Sequence, residues 1–454
     1  MDEADRYRLS PEEHERIFRE GIVPDLTAGL RGVDRPAAVV LGGQPGAGKS
    51  AMQSAAEREF KGRGGALAIV GDDLRAYHPS FSTLLKRDDK TAAFYTDRDS
   101  GLWVEKLIAH AKNERLNLVI EGTMRVPEKV AQTLTDLRGA GYTVDARAIA
   151  VSERLSTLGI HQRYEAMISD RGHGRFTVPA SHAAAYEAMP RTLEMIERDH
   201  LADRVAVYVR GNGLIYENRR HNEQWAHEPG ARAAVESERA RPWSASEKTH
   251  YAESWDRVVS LMGARSASVE ELAHARGLRA AAYLETDVPA LHRVAAQEHV
   301  ALATRTQSET ELAGLQRAMR EGLQRSPDYQ LELAHRDRGA AERAGVVFLE
   351  ASPNATYRGR LAEGASAVLQ AREDRPGAVV VHDRQRLGND VSRLHGKEAE
   401  IRYVGRIGLA QELVRTERQQ GVASRNGENR TLRLVDRPSQ RGSPALITVS
   451  SLFA

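Results

Sequence analysis

The chain has 454 residues, more than one hydrophobic core usually organises, so about three domains are expected. Apolar residues make up 41% and charged residues 28%, which excludes a fully disordered or collagen-like chain. With 65 Lys plus Arg against 63 Asp plus Glu the formal charge is +2, so no chain-wide basic field is present to capture nucleic acid or anionic lipid.

There is no Cys, which rules out disulfides, thiolate chemistry and Cys-ligated metal. The N-terminus MDEADRYRLS lacks the apolar core of a secretory signal, and no apolar run approaches membrane-spanning length. A soluble, cytoplasmic protein without membrane contact is expected.

In Ser10-Pro11-Glu12-Glu13, Ser10 can cap a helix, Pro11 fits its first turn and Glu13 can return a bond to the cap, which predicts a helix from Pro11 to about Glu20. From there to about Tyr216, short β-branched runs alternate with amphipathic ones, as a parallel sheet covered by helices requires. Strands are predicted over Ala37–Leu41, Ala66–Val70, Asn117–Ile120, Val144–Val151 and Arg204–Val209. Helices are predicted to begin near Lys49, Gly101, Pro127, Ser152 and Ala180. Residues 1–225 therefore read as an α/β domain, a parallel sheet with flanking helices of the P-loop NTPase type.

After Arg219 the strand runs give way to charges and turn residues, and residues 226–245 read as a linker or peripheral helix. Residues 246–344 are rich in Ala, Glu, Arg, Leu and Gln, with helix starts at Ser268, Ser308 and Ser326-Pro327, and predict a mainly helical middle of three or four helices. The segments TYRGRLAEG, GAVVVHD and AEIRYVGRIG predict a small β-rich domain over 353–418, closing with a helix at Leu409 to Arg415. Residues 419–454 form a polar tail in which disorder is expected.

The segment Gly43-Gln44-Pro45-Gly46-Ala47-Gly48-Lys49-Ser50 fits G-x-x-x-x-G-K-[ST] and directly follows the strand AAVVL. Glycines let backbone N–H groups turn inward around phosphate oxygens, Lys49 neutralises the β and γ phosphates of a nucleotide, and the Ser50 hydroxyl can ligate magnesium. AIVGDD places Asp72 and Asp73 at a strand's carboxyl end, where one can accept the proton of an attacking hydroxyl while the other caps a helix. LNLVIEGT ends in Glu121 at the same rim, able to orient magnesium or a sugar hydroxyl, or simply to cap a turn. Arg163, Arg171 and Arg175 lie in QRYEAMISDRGHGRF, whose glycines suggest a mobile lid bearing phosphate-clamping guanidiniums.

The ordered set VVLGGQPGAGKS, GDDLRAYHP, NLVIEGTMR and QRYEAM with a trailing Arg resembles the zeta-toxin kinases of bacterial toxin–antitoxin systems, over roughly residues 15 to 220. The resemblance implies a phosphotransferase that uses ATP and Mg2+ to phosphorylate a sugar hydroxyl of UDP-N-acetylglucosamine. It also implies Lys49 and Ser50 as ATP and magnesium ligands and Asp72 as the base. Glu121 and Thr123 fall in the substrate-contacting IEGT element, and Glu105 matches a second acidic substrate residue. Arg163 and Arg175 match the clamping arginines, with Arg171 a competitor for the second. The doubled Asp72-Asp73 departs from the family pattern, which often has a small polar residue after the Asp. A small helical antitoxin that occludes the nucleotide pocket is the family precedent, and the helical middle of this chain is either such an inhibitor in cis or a spacer.

The segment HDRQRLGNDVSRLHGKEAEIRYVGRIG is similar to the small terminal domain of plasmid KfrB-type proteins. Residues 355–454 carry 17 Lys plus Arg against 11 Asp plus Glu, so nucleic acid could be touched only through this end, which reads equally as a solvated basic surface. The rival to a kinase is a plasmid-maintenance or DNA-transfer binding protein in which the phosphate loop senses nucleotide without turnover.

Overall fold

The computed structural model describes residues 6–413 apart from 365 and 388, so the expected polar tail lies outside the described residues. Helix α1 (Pro11–Ile17) starts as expected, with the Ser10 side chain accepting from the Glu13 amide. The helical path does not stop at Glu20. It continues through a π turn at Phe18–Ile22 into α2 (Val23–Thr27), because Ile17, Phe18 and Ile22 are all buried in the main core.

The first sheet contains β1 (Ala37–Gly42), β2 (Ala66–Val70), β3 (Asn117–Glu121), β4 (Thr143–Ala150) and β5 (Arg204–Val209), all parallel, in the order β2-β3-β1-β4-β5. Two further strands that the sequence pattern did not predict, β6 (Leu214–His221) and β7 (Gln224–Trp225), extend it antiparallel beyond β5. Connecting helices are α3 (Lys49–Glu59), α4 (Gly71–Leu74), α5 (Phe81–Arg87), α6 (Ala92–Asn113), α7 (Pro127–Gly139), α8 (Glu153–Arg171) and α9 (Pro179–Arg198). Helix α6 starts well before Gly101, since Ala92, Thr96, Asp99 and Trp103 form a buried stripe at helical spacing.

Alternation along β1 sends Ala38 and Val40 into one core with Trp103 and Leu118. It sends Val39 and Leu41 into the opposite core with Met52, Phe60 and Val119. Both faces are thus covered, which explains why β1 reads as an unbroken apolar run. The segment read as a linker or peripheral helix contains α10 (Ala231–Ala240), whose Ala231 and Val235 are fully buried in the first of these cores.

The middle region forms α11 (Ala245–Ala264), α12 (Val269–Glu285), α13 (Pro289–Arg305), α14 (Glu309–Arg325), α15 (Pro327–Arg336) and α16 (Arg338–Ala344), six helices where three or four were expected. Ser268 and Glu271 make the full capping box and Ser326 accepts from the Tyr329 amide, but Ser308 makes no side-chain cap. The core of this region, around Trp255, Met262 and Tyr329, includes Leu158 of α8, so the helices are packed onto the α/β sheet domain.

The C-terminal sheet comprises β8 (Val347–Glu350), β9 (Thr356–Glu363), β10 (Ala367–Ala371), β11 (Ala378–Asp383), β12 (Glu398–Val404) and β13 (Ile407–Glu412), in the order β13-β12-β9-β10-β11-β8. The expected helix at Leu409–Arg415 is a strand as far as Glu412, and Arg415 lies outside the described residues. A turn with Gly405 at φ +60° folds the chain back so that Ile407 pairs with Val404 and Leu409 with Arg402. That cross-strand pairing overrides the local helix propensity of LAQEL. Among the described residues no helix is long and apolar enough to cross a membrane.

Candidate active site

The site lies where β1, β2 and β3 end together. Leu41 and Val70 both pair with Glu121, so the phosphate loop after β1, the aspartates after β2 and the Glu121 carboxylate emerge at one rim. Gly48, at φ +97°, turns the chain into α3, whose first turn has no side-chain cap. Gly46, at φ +77°, presses against α8: a Cβ there would lie 2.0 Å from the Ser156 carbonyl oxygen. Gln44 is fully buried and anchors the loop from behind, donating to the Val151 carbonyl at 2.8 Å and to Ser156 Oγ at 3.2 Å.

Lys49 is 8% exposed and folds back over the loop, its Nζ donating to the Gly43 carbonyl at 2.9 Å and lying 3.6 Å from Glu121 Oε1. Burial pushes its pKa below the ordinary lysine value, against the opposing pull of the Glu121 charge. Glu121 therefore faces the phosphate loop instead of capping a turn. Thr123 is half-buried two residues beyond it, and Ser50 is exposed on the first turn of α3. Pro45 and Ala47 complete the loop, with Ala47 buried.

Asp72 sits in the first turn of α4 between two arginines: Arg75 Nε is 3.2 Å from one carboxylate oxygen and Arg175 Nη2 is 2.9 Å from the other. Partial burial favours the neutral acid, but the charges of Arg175, Arg75 and Arg163 outweigh it and hold the pKa below the usual carboxylate value. Asp73 differs. Burial, together with the Asp72 charge, lifts its pKa despite Arg175 nearby, and neither aspartate caps α4.

Arg163, on α8, is mostly buried and donates to Thr177 Oγ1 at 2.9 Å, while its Nε has no hydrogen-bond partner. Burial and the neighbouring Arg175 lower its pKa, whereas Asp72 and Glu121 pull the other way. The structure thus brings Lys49, Asp72, Glu121, Arg163 and Arg175 together. Arg171 is left out: it is exposed and pairs with Asp170 at 3.0 Å. Glu105 is not drawn into the cluster either, being exposed on α6 and 3.6 Å from Lys129.

Three residues that the sequence reading did not assign also shape the site. Arg75 is buried and fixed by the Ala93 carbonyl at 2.6 Å, Thr96 Oγ1 at 3.2 Å and Asp97 at 2.6 Å, so it holds Asp72 from a rigid base. Its spacing of three from Asp72 was the available signal. Arg210, just after β5, donates to the Gly46 carbonyl and approaches that of Ala47 at 3.4 Å. Arg239 of α10 reaches Gln44 Oε1 at 3.2 Å while lying over the Tyr186 ring at 3.8 Å. Nothing local in the sequence marks these last two.

The uncapped α3 N-terminus, buried Lys49 and the orphaned Nε of Arg163 fit a polyphosphate. Among the described residues no cluster of three or more His, Asp or Glu could hold a metal. The Ser50 hydroxyl, on the first turn of α3, is placed to hold a magnesium ion that arrives with the phosphates.

The zeta toxin family model matches residues 26–221. Toxin zeta of Enterococcus hirae is 33% identical over 193 residues, which cover 42% of this chain and 67% of the relative. Toxin PezT of Streptococcus pneumoniae is 32% identical over 198 residues, covering 43% of this chain and 76% of the relative. A solved structure from the PezAT chromosomal toxin–antitoxin system of Streptococcus pneumoniae aligns with a TM-score of 0.48 at 25% identity, covering 57% of this chain and 98% of its own.

Proposed function

The chain belongs to the zeta toxin family, and from that premise we propose an ATP-dependent kinase whose acceptor is a sugar hydroxyl of UDP-N-acetylglucosamine or a related nucleotide-like small molecule. The observation that carries the reading is the run of paired charges from Lys49 to Glu121 and from Asp72 to Arg175, at the rim where the phosphate loop opens.

In this reading the γ phosphate lies against Lys49 and the loop amides. The acceptor hydroxyl oxygen attacks phosphorus, the bond to the bridging oxygen of ADP breaks, and the hydroxyl proton passes to Asp72. Arg175 exchanges its contact with Asp72 for the transferring phosphoryl group, which frees a carboxylate oxygen, while Arg75 keeps the carboxylate aimed. Arg163 adds charge to the same oxygens, and Glu121 with Thr123 orients the acceptor. Magnesium, when bound with ATP, neutralises developing charge on the phosphates. Such an enzyme would poison its host unless restrained, by a separate small helical antitoxin or by a segment of this chain in cis.

The test is incubation of the purified full chain with ATP, magnesium and a panel of acceptors that includes UDP-N-acetylglucosamine, with products read by mass spectrometry. A phosphorylated acceptor is expected. Nucleotide binding without any phosphorylated product would replace the kinase by a nucleotide sensor of plasmid maintenance or DNA transfer.

A further inference from the structure

Beside the phosphate loop, on the side away from Asp72, lies a cavity of about 630 Å³ between the carboxyl ends of β4 and β5, helix α8 and helix α11. We propose that its outer wall, Trp243 and the first turns of α11, closes over the nucleoside end of the phosphate donor's site and sets how tightly ATP is held. This rests on the kinase reading above.

The direction of the donor follows from the charges. Asp72 follows β2 and Glu121 ends β3, both on one side of β1, so the acceptor and the γ phosphate belong there. A nucleotide whose phosphates lie on the α3 N-terminus must then extend its base and sugar towards β4 and β5. The cavity stands there. It shares walls with the loop: Arg210 lines it while donating to the Gly46 carbonyl, and the Val151 carbonyl beside it accepts from Gln44.

Its chemistry suits a planar heteroaromatic ring with a polar edge. Val151, Leu155 and Val209 give it an apolar floor, and Trp243 and Tyr251 give it aromatic surface. Arg154 covers the Trp243 ring at 4.2 Å and Tyr251 meets it edge-on at 5.0 Å, so the indole is held in place before any ligand arrives. Gln162, Ser246, His250 and Ser254 also line it and carry donors and acceptors. Trp243 and α11 lie beyond residue 221, where the family match ends. A segment outside the shared domain therefore completes the donor site.

The experiment titrates ATP and inorganic tripolyphosphate into the full chain, the Ser246→Trp variant and the Trp243→Ala variant, after thermal melts establish that each is folded. Ser246 is exposed in the first turn of α11, so its replacement fills the cavity without entering a core. ATP affinity is expected to fall roughly tenfold or more in both variants, the scale of one lost base stack, with tripolyphosphate affinity unchanged. ATP binding unaltered by Ser246→Trp would overturn the proposal. So would an unmodified chain that binds ATP no more tightly than tripolyphosphate. Failure of both ligands to bind the unaltered chain would instead remove the phosphate-loop reading, and this proposal with it.

Discussion

Gly46→Ala tests the tight seat of the phosphate loop on α8. The built Cβ falls 2.0 Å from the Ser156 carbonyl oxygen and 2.9 Å from both the amide nitrogen and Cγ1 of Ile160. The first two of these neighbours are helix backbone. Ser156 is further fixed through its Oγ, which receives Gln44 Nε2 at 3.2 Å and contacts His182 Nε2 at 2.8 Å. The left-handed φ of +77° adds about 1–2 kcal/mol of strain to roughly 1–3 kcal/mol of overpacking, so a loss of about 2–5 kcal/mol is expected. Gly141→Ala is the control, since its φ is +82° but nothing lies within 4 Å of the added carbon, leaving only the strain. Urea unfolding of both variants, with ATP titration of each, measures the difference. If the loop shifts instead of the domain unfolding, the cost appears as weakened ATP binding. Equal stability losses in the two variants, with ATP affinity unchanged in Gly46→Ala, would refute the apposition.

Arg175→Ala removes a charge that holds the Asp72 carboxyl below its ordinary value. With the ionised carboxylate as the proposed base, the acid limb of kcat/KM, which reports the free enzyme, should move to higher pH in the variant; an unmoved limb would assign the base elsewhere. Arg265→Ala strips the buried Glu165 carboxylate of its two-pronged partner, at 2.8 and 2.9 Å, and should cost about 3–5 kcal/mol in unfolding experiments; a loss below about 1 kcal/mol would show the pair to be solvated. Burial pushes His161, His299 and His382 down to about 4 from an ordinary 6.5, so between those values the unfolded chain takes up protons that the folded chain refuses. Stability is then full above pH 6.5 and declines as pH falls towards 4, by up to about 3 kcal/mol for each histidine; urea midpoints that do not change over this window would contradict the burial.

The phosphate loop, the five parallel strands and the acidic rim were readable because each is set locally, by an apolar run followed by glycines or carboxylates. What escaped depends on partners distant in sequence. Residues 226–245 left a linker and a peripheral helix both open because α10 is short and charged, and Ala231 and Val235 are the two buried positions that seat it on the core. LAQEL has helix propensity, but β12 across the Gly405 turn makes it a strand. Arg210 and Arg239 reach the phosphate loop from more than 160 residues away, as functions of packing that no spacing reveals. Arg175 could not be told from Arg171 by composition. The chain reversal after Gly172, at φ +75°, sends one of them to Asp72 and leaves the other in solvent.

The most direct test of the central claim is transfer of labelled γ phosphate from ATP to acceptor, compared in the unaltered chain, Asp72→Asn and Lys49→Ala, with ATP affinity measured in parallel. Asp72→Asn keeps the size of the side chain and removes its proton acceptor. ATP binding should stay near normal in that variant while transfer falls by the ~10²–10⁴ typical of a lost general base, and Lys49→Ala should lose both binding and transfer. Transfer by Asp72→Asn at the rate of the unaltered chain would contradict the assignment of the base, and transfer undiminished in Lys49→Ala would contradict the phosphate-loop kinase itself.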